Sequence, residues 1–556
     1  MSNLDRRNFI RVGIAATAGL SAGCDRWMDT SPREASGTPA KADIGAPFEL
    51  DELTIDQLQE GLKSGKYTCR ALAQKYLERI EALNAKGPML HAVLETNPEA
   101  LQIADALDKE FKEKGPRGPL HGVPILLKDN VDTADKMTTT AGSTALRGSI
   151  APQDSFVAAR LRAAGALLLG KANMSEWAGW KSFARGTPGW SGRGYDGGRG
   201  GFCRNPYALD RVPGGSSSGS GVSASANFCT AAIGTETDGS IVGPSSRNCL
   251  VGIKPTIGLV SRGGVIPIAH SQDSAGPMAR TVRDAAIILG TLTGTDPRDP
   301  QTADGAGKAP ANYLASLDPN GLKGARVGVA RGYAGFDDRI DKLLADALEA
   351  MKSQGATIVD PITLPPELRF ANEFEMEVLY HEFKNDLNAY LKSLGPNAPV
   401  KSLRELIDYN SKNAALELSL FGQELLMRSE ERGPLTDPKY TKALENSHRL
   451  SRQEGIDKVM DAQKLDAIIA PTSGIAELLD PTGSSRGPGG GCSTPSAMAG
   501  YPIMTVPMGY LYGIPIGVAF FGRAWSEATL IKLAFAYEQA TKHRRPPKFL
   551  PTAALG

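Results

Sequence analysis

The chain is predicted to be an α/β protein, a sheet with helices packed on its faces, on three observations. Short apolar runs alternate with longer segments of helical periodicity along most of the sequence. Its 556 residues exceed what one small core needs, so they form two or three domains or one large α/β unit. With 41% apolar and 22% charged residues and no internal repeat, the composition is that of an ordinary globular protein.

The elements follow in order. From Thr54 the pattern turns helical, with Gln57 three residues later completing a capping box, and "TCRALAQKYLERIEALN" and "NPEALQIADALDKEFKEKG" continue it. "GVPILLK" (122–128) is a buried strand, "DSFVAARLRAAG" a helix, and "ALLLGK" (166–171) the next strand. The alternation goes on through "TVRDAAIILGTLTG", "ARVGVA", "RIDKLLADALEAMKSQG", "TIVD", "DAIIAP" and "PIMTVPM" to a closing helix, "SEATLIKLAFAYEQAT". Residues 370–460 are largely helical and predict a lid or an inserted subdomain. The stretch 181–202, rich in glycine and bearing several aromatics, is expected to be irregular, either a surface loop or a wall facing the substrate.

Charge and rare residues exclude several functions. Lys and Arg number 62 against 61 acidic residues, so no basic excess invites a nucleic acid. The six cysteines (24, 69, 203, 229, 249, 492) have no CxxC spacing, and the six histidines are scattered, so neither a metal site nor a disulfide framework is expected. No cofactor motif is present, and none is expected.

The N-terminus has the order of an export signal: Asp5-Arg6-Arg7-Asn8-Phe9-Ile10-Arg11 precedes a short Ala/Gly-rich apolar stretch, too short for the ~20 residues that span a bilayer. The paired arginines resemble a twin-arginine signal, with Asp5 where Ser or Thr is usual. "LSAGC" resembles a lipoprotein cleavage box that would make Cys24 a lipidated N-terminus. The expected location is therefore periplasmic or extracytoplasmic, with membrane contact only through Cys24. The expected layout is an export signal over 1–24, a flexible spacer over 25–48 and one folded domain over 49–553.

"PGGSSSGSG" (213–221) admits four readings. Patterned chain on both sides argues against a linker, and the absence of Gly-Lys-Ser/Thr argues against a phosphate loop. Gly215 to Gly219 fits G-x-S-x-G with Ser217 at its centre, but Asp210, Arg211 and Pro213 stand where that motif needs a strand. The fourth reading takes in "GTETDGS" (234–240), where a small-residue strand runs into a tight turn, and "HGVPILLKDNVDT" (121–133), where Lys128 ends an apolar strand.

Lys128, Ser216 and Ser240 in that order and setting resemble the amidase signature family. Support comes from "GLVSRGGVIPIAHSQDSAGPMARTVRDA", "GKANMSEWA", "DAIIAPT" and "AGYPIMTVPMG", a likeness covering residues 50–550. The resemblance implies the amidase signature fold, a large mixed central β-sheet covered by helices on both faces. It also implies hydrolysis of carboxylic amides, with a small-molecule or peptide amide as the partner. Ser240 would be the nucleophile, Ser216 the bridging hydroxyl after a cis peptide bond, and Lys128 the base. Backbone N–H groups of Thr237, Asp238, Gly239 and Ser240 would form the oxyanion hole. An ordinary lysine titrates near 10.4, so neutrality at pH 7 asks for a fall of about 3, which burial supplies.

Asp238, where the family often has glycine, and Val242, where it often has arginine, depart from the pattern. "GGSSSGSG" with "GTETDGSIV" looks most like bacterial peptide amidases, which remove C-terminal amides of peptides. Asp273 is expected to be a structural hydrogen-bonder behind the site, and His121 and His270 core or loop residues. The alternatives are an A-type subunit of a tRNA-dependent amidotransferase, opposed by the export signal, and a non-catalytic binding protein on the same scaffold, opposed by the presence of all three residues.

Overall fold

A computed structural model describes residues 48–183, 189–195, 201–369, 372–480 and 490–554. The expected export signal, the spacer up to residue 47, Cys24 and part of the Gly-rich stretch lie outside the described residues.

Thirteen strands are described: β1 Val93–Thr96, β2 Pro124–Lys128, β3 Leu167–Ala172, β4 Trp190–Ser191, β5 Gly201–Phe202, β6 Ala231–Glu236, β7 Val251–Lys254, β8 Ser274–Ala279, β9 Arg326–Ala330, β10 Thr357–Ile362, β11 Ala467–Pro471, β12 Ile503–Leu511 and β13 Ile514–Phe521. Eleven of them form one sheet in the order β1-β3-β2-β6-β8-β7-β12-β13-β11-β9-β10. The sheet is mixed: β3, β2 and β6 run parallel, as do β11, β9 and β10, while antiparallel pairs join these two groups.

The parallel pairs follow from the helices between them, because parallel neighbours need a crossover. The helix Phe156–Ala163 carries the chain from β2 to β3, and Asp338–Ser353 carries it from β9 to β10. The helical section expected over 370–460 is the crossover from β10 to β11, beginning with Glu373–Ser393 and ending with Asp457–Gln463. At the other end of the chain the capping box forms as the sequence predicts. The Thr54 hydroxyl accepts from Gln57 N, and the Gln57 side chain accepts from Thr54 N.

Both faces of the sheet are covered, so its strands read as unbroken apolar runs. Side chains alternate between the faces: Ile125, Leu127, Ile233 and Leu168 enter one core, while Leu126, Ala232, Leu167 and Leu169 enter the opposite one. The helical section packs a third cluster, in which Phe383, Leu387 and Leu391 meet Trp177, Trp180, Ile266 and Ile268. Cys69, Cys203, Cys229, Cys249 and Cys492 are all buried and unpaired. Among the described residues no helix is long and apolar enough to cross a membrane.

One expectation is corrected. The sequence predicts an irregular stretch over 181–202, yet β4 and β5 pair antiparallel within it, and Gly192–Tyr195 forms a helical turn. Aromatic contact holds this hairpin: the Phe421 ring stacks edge-on against Trp190 and Phe202. Glycine content alone conceals it, because the aromatic partner lies in the distant helical section.

Candidate active site

Parallel neighbours end on the same edge of a sheet, and ligands of α/β proteins bind outside the carboxyl ends of such strands. β2 and β6 are parallel neighbours with Leu127 opposite Ile233, so Lys128 and the turn after Glu236 emerge side by side. Lys128 closes a wholly buried strand and is itself 0% exposed. Its Nζ lies 2.7 Å from Ser216 Oγ, 2.8 Å from Thr235 Oγ1 and 3.1 Å from Thr235 O. Burial pushes its pKa down to about 7, against a weaker upward pull from Asp273 and Glu236.

Ser216 sits in a turn, with no strand feeding it, and the Gly215–Ser216 peptide bond is cis. The helix Ser218–Ser225 that follows lies directly on β6. Ser217 Oγ donates to Thr235 O at 3.0 Å and accepts from Thr235 N at 3.2 Å, and Ser220 Oγ donates to Ile233 O at 2.9 Å. Such close packing admits no side chain at Gly219, where a Cβ would lie 2.2 Å from Ala92 O and 2.4 Å from Asn173 N. The small residues of "PGGSSSGSG" therefore serve approach to the sheet. Ser217, the centre of the G-x-S-x-G match, is spent on the β6 backbone.

The turn Thr237–Ser240 is braced from both ends. Thr237 Oγ1 donates to Asp273 Oδ1 at 2.6 Å, and Asp273 Oδ2 accepts from Ile268 N at 2.8 Å and Ala269 N at 2.9 Å. Asp273 is thus the structural hydrogen-bonder that the sequence suggests. Burial pushes its pKa up to about 6, and the Thr237 hydroxyl and the two N–H groups oppose the rise. On the far side Glu236 Oε2 accepts from Ile241 N at 2.6 Å and Val242 N at 2.9 Å. Gly239 takes φ +80° between these supports, a left-handed conformation suited to glycine. The Asp238 carboxylate turns aside to accept from Thr494 Oγ1 at 2.7 Å. Among the described residues, no backbone carbonyl engages the N–H groups of Thr237, Asp238, Gly239 or Ser240.

Ser217 N donates to Ser240 O at 3.2 Å, which joins this turn to the Ser216 segment. The structure thus brings Lys128, Ser216 and Ser240 together. Exposure rises from 0% at Lys128 to 3% at Ser216 and 9% at Ser240, so Ser240 is the outermost of the three. Thr235 and Glu236 also belong to the site, and sequence reasoning misses them as functional residues. Thr235 offers Lys128 two acceptors, and Glu236 fixes the far end of the turn. The available signal is a carboxylate at the end of a buried small-residue strand, where it must have partners.

His121 is fully buried, with Nε2 3.1 Å from Leu107 O. His270 lies on a loop, with Nδ1 2.8 Å from Asp386 Oδ2. His270, Glu382 and Asp386 are the one group among the described residues spaced to hold a metal ion. Their carboxylate oxygens already accept from Ser271 N, Ser271 Oγ and His270 N.

Residues 71–531 match the family model described as Amidase. The chain is 40% identical to a probable amidase of Arabidopsis thaliana over 92% of this chain and 95% of that protein. It is 32% identical to the A-type subunit of the glutamyl-tRNA(Gln) amidotransferase of Moorella thermoacetica, over 90% and 99% of the two chains. The crystal structure of the native peptide amidase of Stenotrophomonas maltophilia superposes with a TM-score of 0.84 at 46% identity, covering 90% of this chain and all of that one.

Proposed function

The chain belongs to the amidase family of amide C–N bond hydrolases, and from that premise we propose that it cleaves C-terminal peptide amides through Ser240, Ser216 and Lys128. The single observation that carries the triad is the contact of fully buried Lys128 Nζ with Ser216 Oγ at 2.7 Å. A neutral amine has two N–H bonds and one lone pair. Directing the N–H bonds at Thr235 O and Oγ1 leaves the lone pair for the Ser216 hydroxyl. Ser216 then takes the Ser240 proton as Ser240 attacks the amide carbonyl, and Lys128 takes the Ser216 proton. The four N–H groups of Thr237 to Ser240 receive the oxyanion. The proton returns through Ser216 to the departing amine, and water hydrolyses the acyl-enzyme by the same route in reverse.

Identity of 46% to a peptide amidase, against 32% to an amidotransferase component, supports hydrolysis of peptide amides over ammonia delivery to tRNA. The paired Arg6-Arg7, the apolar stretch and Cys24 support export to the periplasm with lipid attachment at Cys24. The decisive experiment measures ammonia release from C-terminally amidated dipeptides, simple aliphatic amides and aryl amides in parallel. Preference for the peptide amides supports the reading, and turnover of the simple amides alone overturns its substrate class. Fractionation of cells producing the whole chain and its Cys24→Ala variant tests location. Recovery of both in the cytosol would overturn export.

A further inference from the structure

The helix Glu373–Ser393 opens the helical section, and Glu375, Glu382 and Asp386 follow one another at two turns and then one turn along it, on one stripe. Each engages the loop that leads to β8. Gln272 Nε2 donates to Glu375 Oε1 at 3.3 Å, and Ser271 N and Oγ both donate to Glu382 Oε2 at 2.9 Å. His270 N reaches Asp386 Oδ2 at 3.0 Å, His270 Nδ1 reaches the same oxygen at 2.8 Å, and His270 Nε2 lies 3.4 Å from Glu382 Oε1. The next residue after Gln272, Asp273, holds Ile268, Ala269 and, at the oxyanion turn, Thr237. A continuous run of hydrogen-bonded residues therefore leads from the helical section to the N–H groups beside Ser240.

We propose that His270, Glu382 and Asp386 form a latch through which the helical section positions the oxyanion turn, by way of Asp273 and Thr237. The proposal rests on the reading of Thr237 to Ser240 as the oxyanion turn. These three are positioning residues: they touch no reacting atom and act through the turn.

The charges facing His270 are Glu382 and Asp386 from the helix and Arg262 from its own loop. Arg262 donates to His270 O and pairs with Asp299. Tyr440, on the helix Pro438–His448, completes the surroundings by donating to Glu382 Oε1 at 2.8 Å. Burial pulls the imidazole pKa down, but the Asp386 hydrogen bond and the Glu382 charge outweigh it and hold the value up at about 8. The imidazolium is therefore in place below the ordinary histidine pKa of about 6.5 and is lost as pH rises through about 8, while burial pushes the Glu382 carboxyl up, so that on the acid side the Glu382 charge is lost instead.

His270 has a side chain 43% exposed, so its substitution leaves the core intact. His270→Leu is expected to lower kcat about tenfold at constant KM, less than the ~10²-fold loss on removing an oxyanion donor outright. His270→Gln keeps an N–H for Asp386 and is expected to recover most of that loss while abolishing the fall in kcat above pH 8. Hydrogen exchange at 237–240 and 268–273, corrected for intrinsic rates, is expected to quicken in His270→Leu and Asp386→Asn. This readout needs no turnover, so it stands even if the peptide amide reading fails. Unchanged kcat and exchange in both variants would overturn the latch. So would loss of activity on chelation that a divalent cation restores, since the three residues would then be ligands.

Discussion

Lys128 Nζ and Ser216 Oγ meet at 2.7 Å across 88 positions of sequence, at a buried position where the hydroxyl and carbonyl oxygens of Thr235 also hold the amine. The contact couples a strand end to a glycine-lined turn, and several measurable behaviours depend on it.

The first is the pH profile. Lys128 must be neutral to accept a proton, and burial holds its pKa at about 7. Activity is therefore expected to rise as pH increases through about 7, as the ammonium loses its proton. Lys128→Met should remove this limb and lower kcat/KM at least ~10³-fold. An acid limb persisting in that variant would assign the titration to another group.

The three neighbouring serines should separate cleanly. Ser240→Ala is expected to lose at least ~10⁴-fold in kcat and Ser216→Ala about 10²–10⁴-fold. Ser217→Ala, which removes two hydrogen bonds to the Thr235 backbone, should cost about 1 kcal/mol of stability with kcat within about threefold of the parent. Steady-state kinetics with denaturant unfolding reads all three. Inactivation by Ser217→Ala alone would restore the esterase-type turn.

Gly219→Ala tests the close approach to the sheet. Its Cβ would collide with Ala92 O and with Asn173 N and O, which are backbone atoms that cannot rotate away. The expected cost is about 3 kcal/mol, at the upper end of ordinary overpacking. A melting temperature equal to that of the parent would show that the segment can withdraw from β3 and β1.

Glu236→Ala leaves Ile241 N and Val242 N without their acceptor and should lower kcat about tenfold or more at similar KM, because the turn loses its far support. Glu236→Gln keeps one oxygen with two lone pairs and should recover most of that activity. Equal losses in both variants would mean that the charge matters more than the hydrogen bonds.

Much of the fold is legible in the sequence because both faces of the sheet are covered: β2, β3, β11 and β12 stand out as apolar runs flanked by helical periodicity. The strands that stay hidden are those of small residues or weak local signal, such as β8, "SAGPMA", and the two-residue β4 and β5. Their pairing is set by neighbours far along the chain, which no local pattern records. At the site, Lys128, Ser216 and Ser240 can be ordered by motif. The supporting contacts of Glu236, Thr235 and Asp273 are tertiary, and the link from His270 to the helix Glu373–Ser393 spans 116 positions.

The buried cysteines give the molecule a built-in clock. Burial raises the thiol pKa of Cys69, Cys203, Cys229 and Cys492, which suppresses the reactive thiolate, and no surface thiol competes among the described residues. Cys69 and Cys229 lie in the core beneath β2 and β3, while Cys492 lies in the core beneath β11. A thiol reagent can therefore enter only when one of these regions opens. The order in which the sulfurs are modified over hours would time the opening of each half of the sheet, with no engineered label.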